Sequence, residues 1–172
     1  DVIDEFNPQA EAKEQALQFH PLDIPVYVNS DRLQLKQLFR NLVGNAIKYT
    51  QQGGQIIVSM SMNMENIQVD VQDNGFGIPA ADLPFIFDRF YRVRDGIHNK
   101  VEGNGLGLAI VKAIAEQHGG QVKVESEQNQ GSCFHVSLPI MVNMESVLQK
   151  TDIVNISKWS RLKIMKSTYS QE

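Results

Sequence analysis

Cysteine is nearly absent: Cys133 is the only one in 172 residues. A single thiol excludes an internal disulfide framework and fits a reducing compartment. Long hydrophobic runs are absent too. No apolar stretch approaches the ~20 residues that cross a bilayer as a helix. Positive charge is not in excess: 16 Lys and Arg stand against 20 Asp and Glu, a net charge of −4. That argues against nucleic acid as the main partner, which would call for a basic footprint. There is no internal repeat and no low-complexity tract. The chain opens at Asp1, without Met and without a secretory pattern, and reads as a piece of something longer. What is present is ordinary for a globular domain with its own core: 42% apolar and 21% charged residues.

Residues 1–18 read as a helix or a strand–helix piece, with Ala10, Ala12 and Ala16 among polar residues. Pro21 and Pro25 break 19–28 into short extended segments. Ser30 or Asp31 then caps a helix predicted to run to about Thr50, with Gly53-Gly54 closing the unit. Its stripe of Leu35, Leu38, Phe39, Leu42 and Ala46 has the spacing of a core-facing helix. Ile56, Val58, Met60 and Met62 alternate, 63–66 turns the chain, and Ile67, Val69 and Val71 alternate again. A mixed segment follows, with the aromatics Phe85, Phe87, Phe90 and Tyr91. A second helix is predicted over 106–117, stopped by Gly119-Gly120. Val122 and Val124 pair with Phe134, Val136 and Leu138 in a hairpin across Asn129-Gln130-Gly131. Beyond Pro139 the pattern fades. Residues 141–172, with Trp159 and the cations Lys158, Arg161, Lys163 and Lys166, form a tail readable as a short helix, a linker or a disordered end. Tight turns between adjacent strands imply mostly antiparallel pairing, and helices on one face make a two-layer α+β sandwich.

Two glycine clusters draw the eye to chemistry. Gly103-Asn104-Gly105-Leu106-Gly107-Leu108 opens the second helix, and Asp73-Asn74-Gly75-Phe76-Gly77 closes a strand. Bare backbone N–H groups at a helix N-terminus suit a polyphosphate. On the first helix, Asn41, Asn45 and Lys48 fall within roughly 60° of arc, beside the apolar stripe rather than opposite it. That is the edge of the core, where a cleft forms. An asparagine carbonyl suits a hard cation such as Mg²⁺, and Lys48 suits phosphate. The same trio also fits a solvated helix face. Asp73 continues the inward phase of Ile67, Val69 and Val71. A buried carboxylate needs a partner, and a purine amino group is one. A turn-capping Asp is the plainer alternative.

Several motifs are excluded. The spacing G-x-G-x-G after a polar loop is not the dinucleotide-binding G-x-G-x-x-G, and no G-K-[ST] exists for a Walker loop. Lys112 in Ala109-Ile110-Val111-Lys112 falls on a predicted helix, without the downstream motifs of a eukaryotic-type protein kinase. His20, His98, His118 and His135 lack metal-ligand spacing with one another or with Cys133. His118 reads as a cation at a helix end. His135 is out of phase with Phe134 and Val136 and reads as solvent-facing. Cys133 reads as a bystander thiol. The aromatics at 85–91 read as core or as the anchor of a hinged lid, whose Arg92, Arg94 and Lys100 would reach a terminal phosphate.

These motifs, in this order, closely resemble bacterial sensor histidine kinases. Residues 41–50, Asn-Leu-Val-Gly-Asn-Ala-Ile-Lys-Tyr-Thr, look like the family's N box. Residues 73–77 are similar to the G1 box, 86–92 (Ile-Phe-Asp-Arg-Phe-Tyr-Arg) to the F box, and 103–108 to the G2 box. Gly131-Ser132-Cys133-Phe134 resembles the last, shorter glycine motif. The resemblance covers most of 1–140 and implies the catalytic, ATP-binding domain with a Bergerat-type sandwich. It implies that Asn45 ligates Mg²⁺ and, with Lys48, serves catalysis. Asn41, Lys48 and Tyr49 would lie near the nucleotide, and Asp73 would bind the adenine amino group. Gly75, Gly77, Gly103, Gly105 and Gly107 would shape the pocket and lid. Ile78, Phe87, Arg92, Leu106, Leu108 and Ser132 complete the implied nucleotide contacts. Asn104 departs from the small hydroxyl residue often found there.

The implied activity is transfer of the ATP γ-phosphoryl group to a histidine. The family's acceptor is followed by an acidic residue, whereas His20 is followed by Pro21 and His118 by Gly119. The acceptor is therefore expected upstream of Asp1, on a dimerisation domain that would also make the parent a homodimer. A response-regulator receiver is expected downstream, and the cytoplasm is the expected compartment, whether or not the parent is anchored in a membrane. Two other readings remain open: a nucleotide-gated binding module without phosphoryl transfer, and a degenerate interaction domain.

Overall fold

The computed structural model describes residues 2–93 and 103–141, together with the backbone of 153–155. Helix α1 (Val2–Ala12) is followed by β1 (Ala16–His20) and β2 (Tyr27–Asn29). Then come α2 (Arg32–Tyr49), β3 (Gln55–Met62) and β4 (Asn66–Asp73), and after a short 3₁₀ turn α3 (Gly107–Gln117), β5 (Gln121–Glu127), β6 (Gly131–Pro139) and β7 (Ile153–Asn155).

Five strands form one sheet in the order β1-β3-β4-β6-β5. Every pair is antiparallel except β1 with β3, which run parallel from Ala16 opposite Gln55. The mixed, mostly antiparallel two-layer α+β sandwich expected from the turns is thus the observed fold. A small second sheet pairs β2 with β7, Val28 opposite Val154.

Each layer forms for a local reason. Helix α2 starts where the Asp31 carboxylate accepts from the N–H groups of Leu33 (2.7 Å) and Gln34 (3.1 Å). Its stripe buries Leu35, Leu38, Phe39, Leu42 and Ala46, as the periodicity requires. In β4 the inward set Ile67, Val69 and Val71 is at most 1% exposed, and Asp73 follows in the same phase at 7%. The Asn63 side chain accepts from Glu65 and Asn66 and turns the chain from β3 into β4. Val111 and Ala115 of α3, and Val2, Phe6 and Ala10 of α1, complete the core between helices and sheet.

The N-terminal segment resolves as helix first, strand second. Pro8 lies inside α1, where it removes one backbone hydrogen bond; burial of Phe6 and Ala10 on either side holds the helix together. Helix α2 stops at Thr50, ahead of Gly53-Gly54. Of the tail, Met141 and the three-residue strand β7 fall among the described residues; Trp159 and the cations near it lie outside them. Among the described residues no helix is long and apolar enough to cross a membrane.

Helix α2 depends on its first turn. Asp31→Ala removes the cap and is expected to cost about 1 kcal/mol, read as a lower urea midpoint at unchanged slope.

Candidate functional site

A cavity of about 300 Å³ opens between α2, the end of β4, the 86–93 segment and the start of α3. It brings together Asn41, Asn45, Lys48 and Tyr49 of α2 with Asp73, Gly77 and Ile78 after β4. Arg92, Gly103, Gly105, Leu106, Gly107 and Leu108 line the opposite wall, and Ser132 closes the floor. Two expected residues stand behind the lining. Phe87 packs edge-on against Phe134, with ring centroids 6.5 Å apart, and Phe134 itself faces the cavity. Gly75 lies under the wall, against the end of α2. Arg94, Lys100 and His98 fall outside the described residues.

The floor is built from strand register. Asp73 sits between Ile56 of β3 and Ser132 of β6 at the end of the central strand. Burial pushes its carboxyl up from 3.8 to about 6, against the opposing pull of hydrogen bonds from the backbone N–H groups of Gly75 and Ser132. The Gly75 bond is 2.9 Å long. No Cβ fits at Gly75: it would stand 2.2 Å from the Tyr49 carbonyl oxygen. Gly77 adopts φ +63°, and a Cβ there would lie 1.9 Å from the Glu127 carbonyl. The loop after Asp73 is therefore pressed between α2 and the β5–β6 turn.

The other end of the cavity is rich in donors. Helix α3 begins after Leu106, which offers no side-chain cap, and Gly107 and Leu108 of its first turn line the cavity. The Asn104 side chain accepts from Leu106 N–H and turns the chain into this helix. The Phe90 N–H donates to Gly105 at 2.9 Å and joins the 86–92 segment to the same loop. Asn41 Nδ2 is buried with no hydrogen-bond partner among the described residues, and a Cβ on Gly107 would stand 3.5 Å from Asn41 Oδ1. Lys48 is exposed along the same arc of α2. Burial raises the Tyr49 hydroxyl pKa, and the Arg92 guanidinium nearby lowers it.

The donor set decides whether a cation fits the cavity. Among the described residues no group of three or more His, Cys, Asp or Glu side chains could hold one. The amide oxygen of Asn45 fits an ion that takes one protein ligand and completes its shell with phosphate and water, the usual habit of Mg²⁺. Sequence reasoning did not pick out Ala46, Ile86, Val93, Ile110 and Phe134 as lining residues. They are apolar, and nothing in their pattern separates a cavity wall from core.

His118, His135 and Cys133 are held in structural contacts. His118 is not a free cation: its Nε2 accepts from the Asp31 N–H (3.1 Å) while Nδ1–H donates to the Ile114 carbonyl (2.7 Å). Only a neutral ring does both. His135 lies on the sheet face away from Phe134 but is half-buried and bonded to Asp70 at 2.8 Å. Burial, helped by Asp70, Glu125 and Asp73, pushes the Cys133 thiol up to about 11.

A cavity with a buried acceptor at one end and amide, cationic and backbone donors at the other has the chemistry of a nucleotide site. Residues 30–141 match the family described as histidine kinase-, DNA gyrase B-, and HSP90-like ATPases, and the chain belongs to it. It is 35% identical over 146 residues to the sensor histidine kinase WalK of Bacillus subtilis, an alignment covering 84% of this chain and 24% of WalK. The chain spans about a quarter of the length of such curated relatives. The catalytic domain of histidine kinase ThkA, in a nucleotide-free form, superposes with a TM-score of 0.70 at 29% identity, covering 80% of this chain and 88% of that one. Full-length ShkA in complex with AMPPNP gives 0.68 at 28% identity, over 83% of this chain and 29% of that one.

The burial of Asp73 sets a pH dependence. Its folded pKa lies above its unfolded value, so the neutral acid stabilises the ligand-free fold. That contribution is full below about pH 4 and is lost as pH rises through about 6. Urea midpoints of the ligand-free wild type should therefore fall relative to Asp73→Asn across this window; parallel profiles would contradict the burial argument.

Proposed function

We propose that this chain is the catalytic part of a sensor histidine kinase, binding ATP with Mg²⁺ and transferring the γ-phosphoryl group to a histidine on a separate dimerisation domain. The observation that carries this reading is the polarity of one cavity: the Asp73 carboxylate at one end, and the Asn41 amide with the start of α3, which has no side-chain cap, at the other. An adenine amino group donates to Asp73, and Ile78, Ile86 and Phe134 exclude water around the ring. The phosphates accept from Asn41 and from the N–H groups that open α3, while Lys48 and Arg92 bring positive charge. Asn45 would hold Mg²⁺, which when bound neutralises charge on the phosphates and favours loss of the terminal group. The chain's own contribution is alignment and electrostatics.

The phospho-accepting domain, the homodimer it makes and a receiver protein downstream belong to this proposal, as does a cytoplasmic setting. Relatives several times longer than this chain leave room for such domains. The alternative, a nucleotide-gated module without transfer, is separated from the kinase by one assay. Labelled ATP is mixed with this domain and a matching histidine-bearing helical domain. Acid-labile label on the partner is the expected result; binding without transfer, with the cognate partner verified, favours the module.

Two substitutions dissect the site. Asn45→Ala is expected to abolish the Mg²⁺-dependent part of ATP affinity in a folded domain, measured by titration calorimetry with and without the ion. Asp73→Asn should weaken ATP roughly tenfold or more and GTP far less, as expected for loss of one charged hydrogen bond to adenine. Equal weakening of both nucleotides would remove the base-recognition role.

A further inference from the structure

Helix α2 carries Asn41, Asn45 and Lys48, so the accuracy of the site depends on what holds this helix. Its C-terminal carbonyls are unusually well served. Ala46 O accepts from Thr50 N–H, and Tyr49 O accepts from Phe76 N–H. The carbonyls between and just beyond them are taken by two side chains from the α1–β1 turn. Lys13 Nζ donates to Ile47 O at 2.7 Å and reaches Lys48 O at 3.4 Å. Gln15 Nε2 donates to Ile47 O (3.1 Å), Thr50 O (2.7 Å) and Gln51 O (3.3 Å), with the Gln15 side chain buried at 6% exposure. Both residues precede the family-matched segment 30–141.

The rest of α1 runs along the same side of α2. Glu5 pairs with Arg40 (2.9 Å) and Lys36 (3.4 Å), and the Phe6 ring lies 3.4 Å from where a Cβ on Gly44 would stand. At 100° per residue, Lys36, Arg40, Gly44 and Ile47 lie roughly a third of a turn around α2 from the arc of Asn41, Asn45 and Lys48. One side of the helix is braced and the neighbouring side faces the cavity.

We infer that Lys13 and Gln15 are positioning residues for the nucleotide site, an inference that rests on the nucleotide reading above. The electrostatic logic concerns two lysines. The C-terminus of a helix carries partial negative charge, and a lysine in its last turn ordinarily folds back onto it. Lys48 is that last-turn lysine. Lys13 supplies the cation from outside instead, which leaves the Lys48 ammonium on the cavity side, available to phosphate. Gln15 fixes the carbonyls that follow and so the height of Tyr49 against the Asp73 loop.

The test compares Lys13→Met, Gln15→Leu and Lys13→Arg with Val69→Ala, a core change in the sheet remote from the cavity. ATP affinity with Mg²⁺ is measured for each at a temperature where far-UV circular dichroism reports a folded domain. Lys13→Met is expected to weaken ATP about tenfold, the scale of one charge-assisted hydrogen bond, and Gln15→Leu to weaken it in the same direction. Lys13→Arg, which keeps the donor and the charge, should recover most of the loss. Val69→Ala should lower the melting temperature while leaving affinity within about twofold. Folded Lys13→Met and Gln15→Leu proteins that bind ATP like the wild type would overturn the inference. So would weakening by Val69→Ala in proportion to its stability loss, because the effect would then be general destabilisation. A folded wild type that binds no ATP would instead remove the nucleotide reading itself, and the positioning role with it.

Discussion

The cavity exists because the end of α2 and the end of β4 meet at backbone distance. The Tyr49 carbonyl accepts from Phe76 N–H, and only a residue without Cβ can pass beside it at position 75. This contact ties the helical layer to the sheet layer at a place where both line the cavity. It sets Asp73 below and Asn45 and Lys48 above. A larger residue at 75 would push apart two backbones rather than a flexible side chain, so the contact cannot relax cheaply.

The site spends stability on chemistry. Desolvating Asp73 and leaving the Asn41 amide without a partner both work against the ligand-free fold. So does a helix N-terminus with no side-chain cap. These three features cluster around one cavity, while at the opposite end of α3 the N–H groups of His118, Gly119 and Gly120 bond the carbonyls of Ile114, Ala115 and Glu116. Within a single helix, the end at the cavity is thus set apart from the end closed by backbone bonds.

Much of this was legible from residues alone, and for identifiable reasons. The stripe on α2 and the alternation in β4 are strong periodic signals, and the inward phase of β4 carried directly to Asp73. The arc of Asn41, Asn45 and Lys48 followed from helical geometry. What stayed hidden depended on distant partners. The parallel pairing of β1 with β3 has no local signature, and Pro8 weakens the helical pattern of α1. His118 read as a cation because its partner Asp31 lies 87 positions away and supplies an N–H rather than a carboxylate. Phe87 belongs to a motif that faces the site, yet its own ring supports Phe134 from behind. Lys13 and Gln15 escaped notice because nothing in the α1–β1 turn announces that it caps a helix more than thirty residues later.

The single thiol has a practical consequence. With its pKa near 11, Cys133 remains protonated at neutral pH and makes a poor nucleophile. A second cysteine introduced at an exposed site on the rim would react with maleimide dyes far ahead of it. Fluorescence reporters can thus be attached to the wild-type background in a single step, with no need to replace the native sulfur first.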